Sequence, residues 1–194
     1  MNFSSDTSAP AHPRVLEAVL AANAGLEASY GNDSATQRLR GHLADAFGTD
    51  DFDYWMTASG TASNALALSC FCPPTGAVLC HAGAHIAVDE RGAPEFFTGG
   101  AKLIPLAGAH AKISLEALDR ALGEIPEGFV HSSPARVLSL SNLTESGTAY
   151  TPAEVAERAD RIHARPAFVH MDGARFSNAL VTLGCTPAEL TWRA

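Results

Sequence analysis

Two lysines, Lys102 and Lys112, are all that the 194 residues contain. Twenty-one acidic residues stand against 13 Lys and Arg, a formal net charge of −8. A chain this poor in cations lacks the clustered Lys and Arg that a nucleic-acid backbone demands, so no nucleic-acid partner is expected. Cysteine is scarce as well. Cys70, Cys72, Cys80 and Cys185 offer no second closely spaced pair for a zinc site, and no metal is expected. Buried free thiols in a reducing cytoplasm are the expectation instead. Met1 to Ser8 has neither the basic patch nor the apolar core of a secretory signal. From Tyr54 to Val88 there is no Asp, Glu, Lys or Arg, but Gly60, Pro73, Pro74, Gly76 and Gly83 interrupt the run. A buried strand, a helix packed on it and a second buried strand are expected there, and no membrane span.

What is present is ordinary for a soluble domain with a real core: 46% apolar and 18% charged residues, 16 Gly and 11 Pro. Short apolar runs alternate with helix-like segments. Strands are expected at 54–57, 77–81, 102–106, 137–141 and 167–171. Helices are expected at 13–24, with Val15, Leu16, Val19 and Leu20 on one face, and from Ser34 to Phe47, opened by a Ser34–Gln37 capping box and ended by Gly48. Further helices start near Ser114, Thr151 and Thr186. Thr151-Pro152-Ala153-Glu154 and Thr186-Pro187-Ala188-Glu189 both carry the residues of an N-cap, a first-turn proline and a capping-box glutamate. The last helix is expected to run through Ala194, which leaves the chain stopping inside a domain. Alternation of this kind specifies an α/β fold, a mostly parallel sheet with helices on both faces.

The segment from Ala167 to Phe176 carries the most chemistry. A strand-like run ends at Met171, Asp172 follows, and Arg175 stands where a helix begins. The carboxyl rim of a parallel sheet is where such folds bind ligands. A carboxylate there can hold a cationic ring nitrogen, and an arginine can grip a substrate carboxylate in its bidentate fork. Together they suit pyridoxal phosphate chemistry on amino acids. The same two residues also suit a turn in which they merely cap and pair. A second motif, Ser59-Gly60-Thr61-Ala62-Ser63-Asn64, lies between a strand-like and a helix-like run. Small residues at such a turn leave N–H groups for a phosphate, with Ser59 and Thr61 hydroxyls as further donors. Its spacing is neither G-x-G-x-x-G nor a P-loop, so nucleotide readings lose support.

Taken together, these motifs resemble the threonine aldolase and β-eliminating lyase family, pyridoxal phosphate enzymes of the aspartate aminotransferase-like fold (fold type I). The resemblance runs through Ser5-Asp6-Thr7, Tyr30 to Asp33, Ser59 to Asn64, Ala84-His85, Asp89-Glu90, Gly92 to Phe97, Thr144 to Tyr150, His170 to Ala179 and Gly184 to Trp192. It implies that Gly60 and Thr61 bind the cofactor phosphate, with Ser59 beside them and Asn64 supporting the turn. It implies that His85 stacks on the pyridine ring and that Asp172 bonds the ring nitrogen. Arg175 and Ser5 would bind the substrate carboxylate, Tyr30 would also bind substrate from a segment near a subunit interface, and His131 matches a second histidine near the substrate hydroxyl.

The implied reaction is retro-aldol cleavage of L-threonine and other β-hydroxy-α-amino acids to glycine and an aldehyde. Whether His85, His131 or a water is the base is left open. The resemblance also implies a cytoplasmic homo-oligomer, dimer or tetramer. Residues 1–194 would be the N-terminal part of the cofactor-binding large domain. The lysine that bonds the cofactor would lie in a later strand-end motif, which neither Lys102 nor Lys112 matches. Three other functions compete: a carbon–sulfur lyase or aminotransferase of the same fold, a non-catalytic fragment that lacks the lysine, and, least supported, a nucleotide-binding module.

Overall fold

Residues 8–194 are described by the computed structural model, and the chain divides after Asp50 into two units. In the first, α1 (Pro13–Ala22) begins on a proline suited to a first turn, and His12 Nδ1 accepts the Arg14 N–H. Helix α2 (Ser34–Phe47) ends at Gly48 in the left-handed conformation, φ 64°. Its cap is Asp33, not Ser34 with Gln37. The Asp33 carboxylate takes both the N–H and the hydroxyl of Thr36, at 2.8 and 2.7 Å, and so satisfies the helix start one residue earlier.

The second unit is built on four parallel strands in the order β2-β1-β3-β4. They are β1 (Ala77–His81), β2 (Lys102–Leu106), β3 (Ala135–Ser141) and β4 (Phe168–Asp172). Both faces are covered, as alternation along the central strands requires. Leu79, Leu138 and Leu140 point to a core shared with Leu118 and Leu122 of α6 (Leu115–Glu124), Val155 and Ile162 of α7 (Pro152–His163), Ala179 of α8 (Phe176–Leu183) and Leu190 of α9 (Pro187–Leu190). Val78, Cys80 and Val137 point the other way, to Leu68 of α3 (Gly60–Phe71), to Cys72 at its C-cap and to Ile86. Two short helices, α4 (His85–Val88) and α5 (Ala93–Phe97), follow β1.

The expected α/β architecture is present, with local corrections. Residues 54–57 form no strand. Trp55 and Met56 are 80% and 75% exposed, and no sheet ladder takes up the backbone groups of this run; apolar content without a ladder partner does not make a strand. The turn expected at Ser59–Asn64 is already helix from Gly60 onward, with Ser59 as N-cap accepting the Ala62 N–H at 3.2 Å. Strand β4 runs on to include Asp172. Both Thr–Glu capping boxes are formed, but α9 stops at Leu190 and does not reach Ala194. Cys70 is exposed, whereas Cys72 and Cys80 are buried. Among the described residues no helix is long and apolar enough to cross a membrane.

Candidate active site

Three segments meet at the carboxyl end of the sheet. Strand β4 delivers Asp172 as its last residue, β1 leads through a short loop to His85 at the start of α4, and α3 brings Asn64 in its second turn. The Asn64 amide joins them. Its Nδ2 donates to Asp172 Oδ2 at 3.0 Å and to Glu90 Oε1 at 2.8 Å. The same Glu90 oxygen lies 2.8 Å from His85 Nδ1, and the second Asp172 oxygen accepts the Ala174 N–H at 3.0 Å. Glu145 accepts the backbone N–H of His85 at 3.0 Å and the Ser141 hydroxyl at 2.7 Å. A continuous polar chain therefore runs from Glu145 through His85, Glu90 and Asn64 to Asp172.

Charge within this chain is arranged around the imidazole. Hydrogen bonding to Glu90 raises the His85 pKa above the ordinary histidine value; partial burial opposes this, and the charges of Glu90, Asp172 and Asp89 add to it. Glu90 itself is 4% exposed and Asn64 5%, so their bond is made away from water. His170, two residues before Asp172 in β4, behaves in the opposite way. Desolvation pushes its pKa down to about 4, and its Nδ1 sits 2.9 Å from the Ser139 hydroxyl. One histidine at this rim is held toward its cation and the other is held neutral.

The structure brings His85, Asn64 and Asp172 together. Ser59, Gly60 and Thr61 open α3 at the same rim, since Asn64 one turn further on reaches Asp172. Nothing lies within 4 Å of where a Cβ on Gly60 would be, so the space over this helix start is open. The Asn64 amide, expected to support the Ser59–Asn64 turn, donates to Glu90 and Asp172. Arg175 is the N-cap of α8, three residues beyond Asp172 and partly buried.

His131 stands apart. It lies in the turn before β3, edge-on to Phe129 at 5.5 Å, and Pro134 three residues later accepts the Ala77 N–H at the amino end of the sheet. Strands this long put that end about 20 Å from the carboxyl rim, so within one chain His131 does not reach Asp172. Tyr30 belongs to the first unit, 99% exposed with φ 61°. Ser5 lies outside the described residues. Sequence reasoning assigned no role to Glu90 or Glu145. The available signal was the conjunction of a histidine, a carboxylate five residues later and a charge-free helix facing both.

Asp172 keeps lone pairs beyond the two bonds it accepts, so its carboxylate can still take a cationic ring N–H. The His85 side chain is 44% exposed, enough to present a face. An open helix start with small residues suits a phosphate. The donor set thus fits pyridoxal phosphate held without a covalent bond. The lysines do not reach it. Lys102 begins β2 at the amino end of the sheet, and Lys112 lies 2.9 and 2.8 Å from the two carboxylate oxygens of Glu154. The sequence model of the beta-eliminating lyase family matches residues 2–194.

The chain belongs to that family.

Its relatives within the family are aldolases by name. A low specificity L-threonine aldolase from Pseudomonas sp. (strain NCIMB 10558) is 38% identical over 192 residues, 99% of this chain and 55% of that protein. The solved threonine aldolase of Leishmania major superposes with a TM-score of 0.87 at 27% identity, over 94% of this chain and 53% of that one. The family chain described here therefore spans about half the length of the relatives it matches. A serine palmitoyltransferase from S. paucimobilis, at 19% identity and a TM-score of 0.59 over 82% of this chain and 37% of that one, shares the fold alone.

Proposed function

We propose that the chain is the cofactor-binding part of a pyridoxal phosphate-dependent aldolase that cleaves L-threonine, L-allo-threonine and related β-hydroxy-α-amino acids to glycine and an aldehyde. The observation that carries this reading is the Asp172 carboxylate, held by Asn64 and the Ala174 N–H at the sheet rim beside His85 and three residues before Arg175. The names of the relatives support the substrate class.

Bound there, pyridoxal phosphate would supply the electron sink for the pair released when the substrate Cα–Cβ bond breaks. The chain's own residues do the rest. Asp172 accepts the ring N–H and, by its negative charge, keeps that proton in place. His85 covers one ring face. With Nδ1 committed to Glu90, its Nε2 is the atom left to exchange a proton at the substrate hydroxyl. Arg175 fixes the substrate carboxylate and thereby the orientation of the bond to be broken. Ser59, Gly60 and Thr61 receive the phosphate at the start of α3.

The placement of Lys102 and Lys112 favours a second reading for the 194 residues taken alone: they bind cofactor and do not turn over. The natural setting we propose is a cytoplasmic homo-oligomer, a tetramer. Free thiols support the compartment, and the exposed Trp55, Met56, Phe96 and Phe97 support burial against further copies.

The test joins this chain to the segment of the Pseudomonas relative that follows the matched region. Acetaldehyde release from L-threonine, measured by a coupled dehydrogenase, is expected from the chimera and not from the 194 residues alone. A chimera that binds pyridoxal phosphate yet releases no aldehyde would overturn the aldolase assignment.

A further inference from the structure

Glu90 is the most enclosed member of the polar chain at the sheet rim, and neither its packing nor its charge is explained by a contact to solvent. Its side chain is fully buried while the partner imidazole of His85 is 44% exposed. Both of its hydrogen bonds fall on one oxygen: Oε1 receives the Asn64 amide and faces His85 Nδ1, each at 2.8 Å. The other oxygen, Oε2, is buried with no hydrogen-bond partner among the described residues.

A carboxylate oxygen only accepts. The contact from His85 Nδ1 therefore places a proton on Nδ1, the tautomer that free histidine populates less, and leaves Nε2 as the titrating atom. With Oε2 bare, the Glu90 side chain is held through Oε1 alone, by the Asn64 amide and the His85 imidazole. Asn64 continues the connection, because the same amide nitrogen that donates to Glu90 donates to Asp172.

We propose that Glu90 is the positioning residue of this site: it sets the tautomer and orientation of His85 and, through the Asn64 amide, locks that imidazole to the Asp172 carboxylate, so that the face contact and the ring-nitrogen contact of a pyridinium ligand are aligned as one unit. The role rests on the functional reading above. It concerns how the chain's own residues are held, and it is present before any cofactor binds. An imidazole tilted away from Asp172 would cover the ring only at the expense of the ring-nitrogen bond.

The charged groups that act on His85 are Glu90, Asp172 and Asp89, with Glu145 on its backbone N–H. Two substitutions separate charge from geometry. Glu90→Gln keeps an oxygen for both bonds and removes the charge, while Glu90→Leu removes the acceptor. The measurement is 15N–1H NMR of the histidine rings across a pH titration of the chain without cofactor, with fold checked by circular dichroism. In the unsubstituted chain His85 is expected as the Nδ1–H tautomer when neutral. Glu90→Gln is expected to keep that tautomer and shift the titration midpoint downward. Glu90→Leu is expected to return His85 to the ordinary Nε2–H majority and to weaken pyridoxal phosphate binding by roughly tenfold or more, the size of one charge-assisted hydrogen bond. Asp89→Asn should leave the tautomer unchanged.

If Asp172→Asn lowers turnover of the chimera but Glu90→Gln leaves the His85 midpoint in place and Glu90→Leu leaves its tautomer in place, the positioning role is overturned and the functional reading stands. If the chimera turns over L-threonine unchanged when Asp172→Asn is introduced, the functional reading fails whatever Glu90 does.

Discussion

Removing the Asn64 amide tests the polar chain at its centre. Asn64→Ala deletes two hydrogen bonds from one nitrogen, and their worth differs because their acceptors sit in different surroundings. Glu90 is 4% exposed, and its Oε2 already lacks a partner, so losing the bond to Asn64 leaves a buried carboxylate with the His85 contact alone. A hydrogen bond to a buried charge contributes about 1.5–3 kcal/mol. Asp172 is only partly buried and keeps the Ala174 N–H, so water replaces the lost donor there and the cost is about 0.5 kcal/mol or less. The expected loss is therefore about 1.5–3.5 kcal/mol. Urea unfolding followed by the fluorescence of Trp55 and Trp192, both in the sheet-bearing unit, reads it as a lower midpoint at an unchanged slope. The same substitution made on top of Glu90→Leu should cost at least about 1 kcal/mol less, because the main acceptor is gone. A loss below about 0.5 kcal/mol, or full additivity with Glu90→Leu, would refute the account of the chain as an energetically coupled unit.

Four further outcomes are expected. Tyr150→Phe, which strands the buried Ile113 N–H now bonded to the phenol oxygen at 2.6 Å, should cost about 1–3 kcal/mol in the same assay. Acid should weaken the fold through His170: its folded pKa of about 4 lies below the unfolded value of 6.5, so the unfolded chain binds more protons between those limits and stability falls as pH drops from 6.5 to 4, by at most about 3 kcal/mol, a slope that His170→Asn should remove. In the chimera, Asp172→Asn should retain cofactor and lower turnover by about two to three orders of magnitude, whereas Arg175→Ala should mainly raise KM for L-threonine; unchanged kinetics in either variant would show the site to be misassigned. Light scattering of the chimera should report an oligomer, and a stable monomer would contradict the proposed assembly.

The framework of this fold is written in local patterns. Strands β1 and β2 stand where alternating short apolar runs place them, and the Thr151 and Thr186 caps formed from their Thr-Pro-x-Glu signatures. Asp172 and His85 were legible as residues of the sheet's carboxyl rim because each ends or follows a strand. Three other features resisted sequence reasoning, for different reasons. Residues 54–57 have the composition of a strand, but composition does not report whether a ladder partner exists. Helices α4 and α5 are four and five residues long, too short to show a helical period. The role of Glu90 depends on three segments meeting, and a contact between Asn64 and Asp172 leaves no mark in either local sequence. His131 shows the converse limit, since a motif match says nothing about which end of a sheet a residue occupies.

The hydrogen bond from Asn64 to Asp172 spans 108 residues of sequence. During synthesis at about 5–20 residues per second, roughly 5 to 20 s separate the appearance of these two partners. Through that interval α3 is complete while β4, to which it delivers Asn64, does not yet exist, and all three strand pairings join segments far apart in the chain. Topologies of this kind close their loops late and fold slowly. The nascent protein therefore carries Asn64, buried at the end, on a surface still open to water or to other chains. Its vulnerability to aggregation is concentrated in this window, and a substitution such as Asn64→Ala should reduce the yield of soluble protein made in cells by more than its effect on the finished fold alone would suggest.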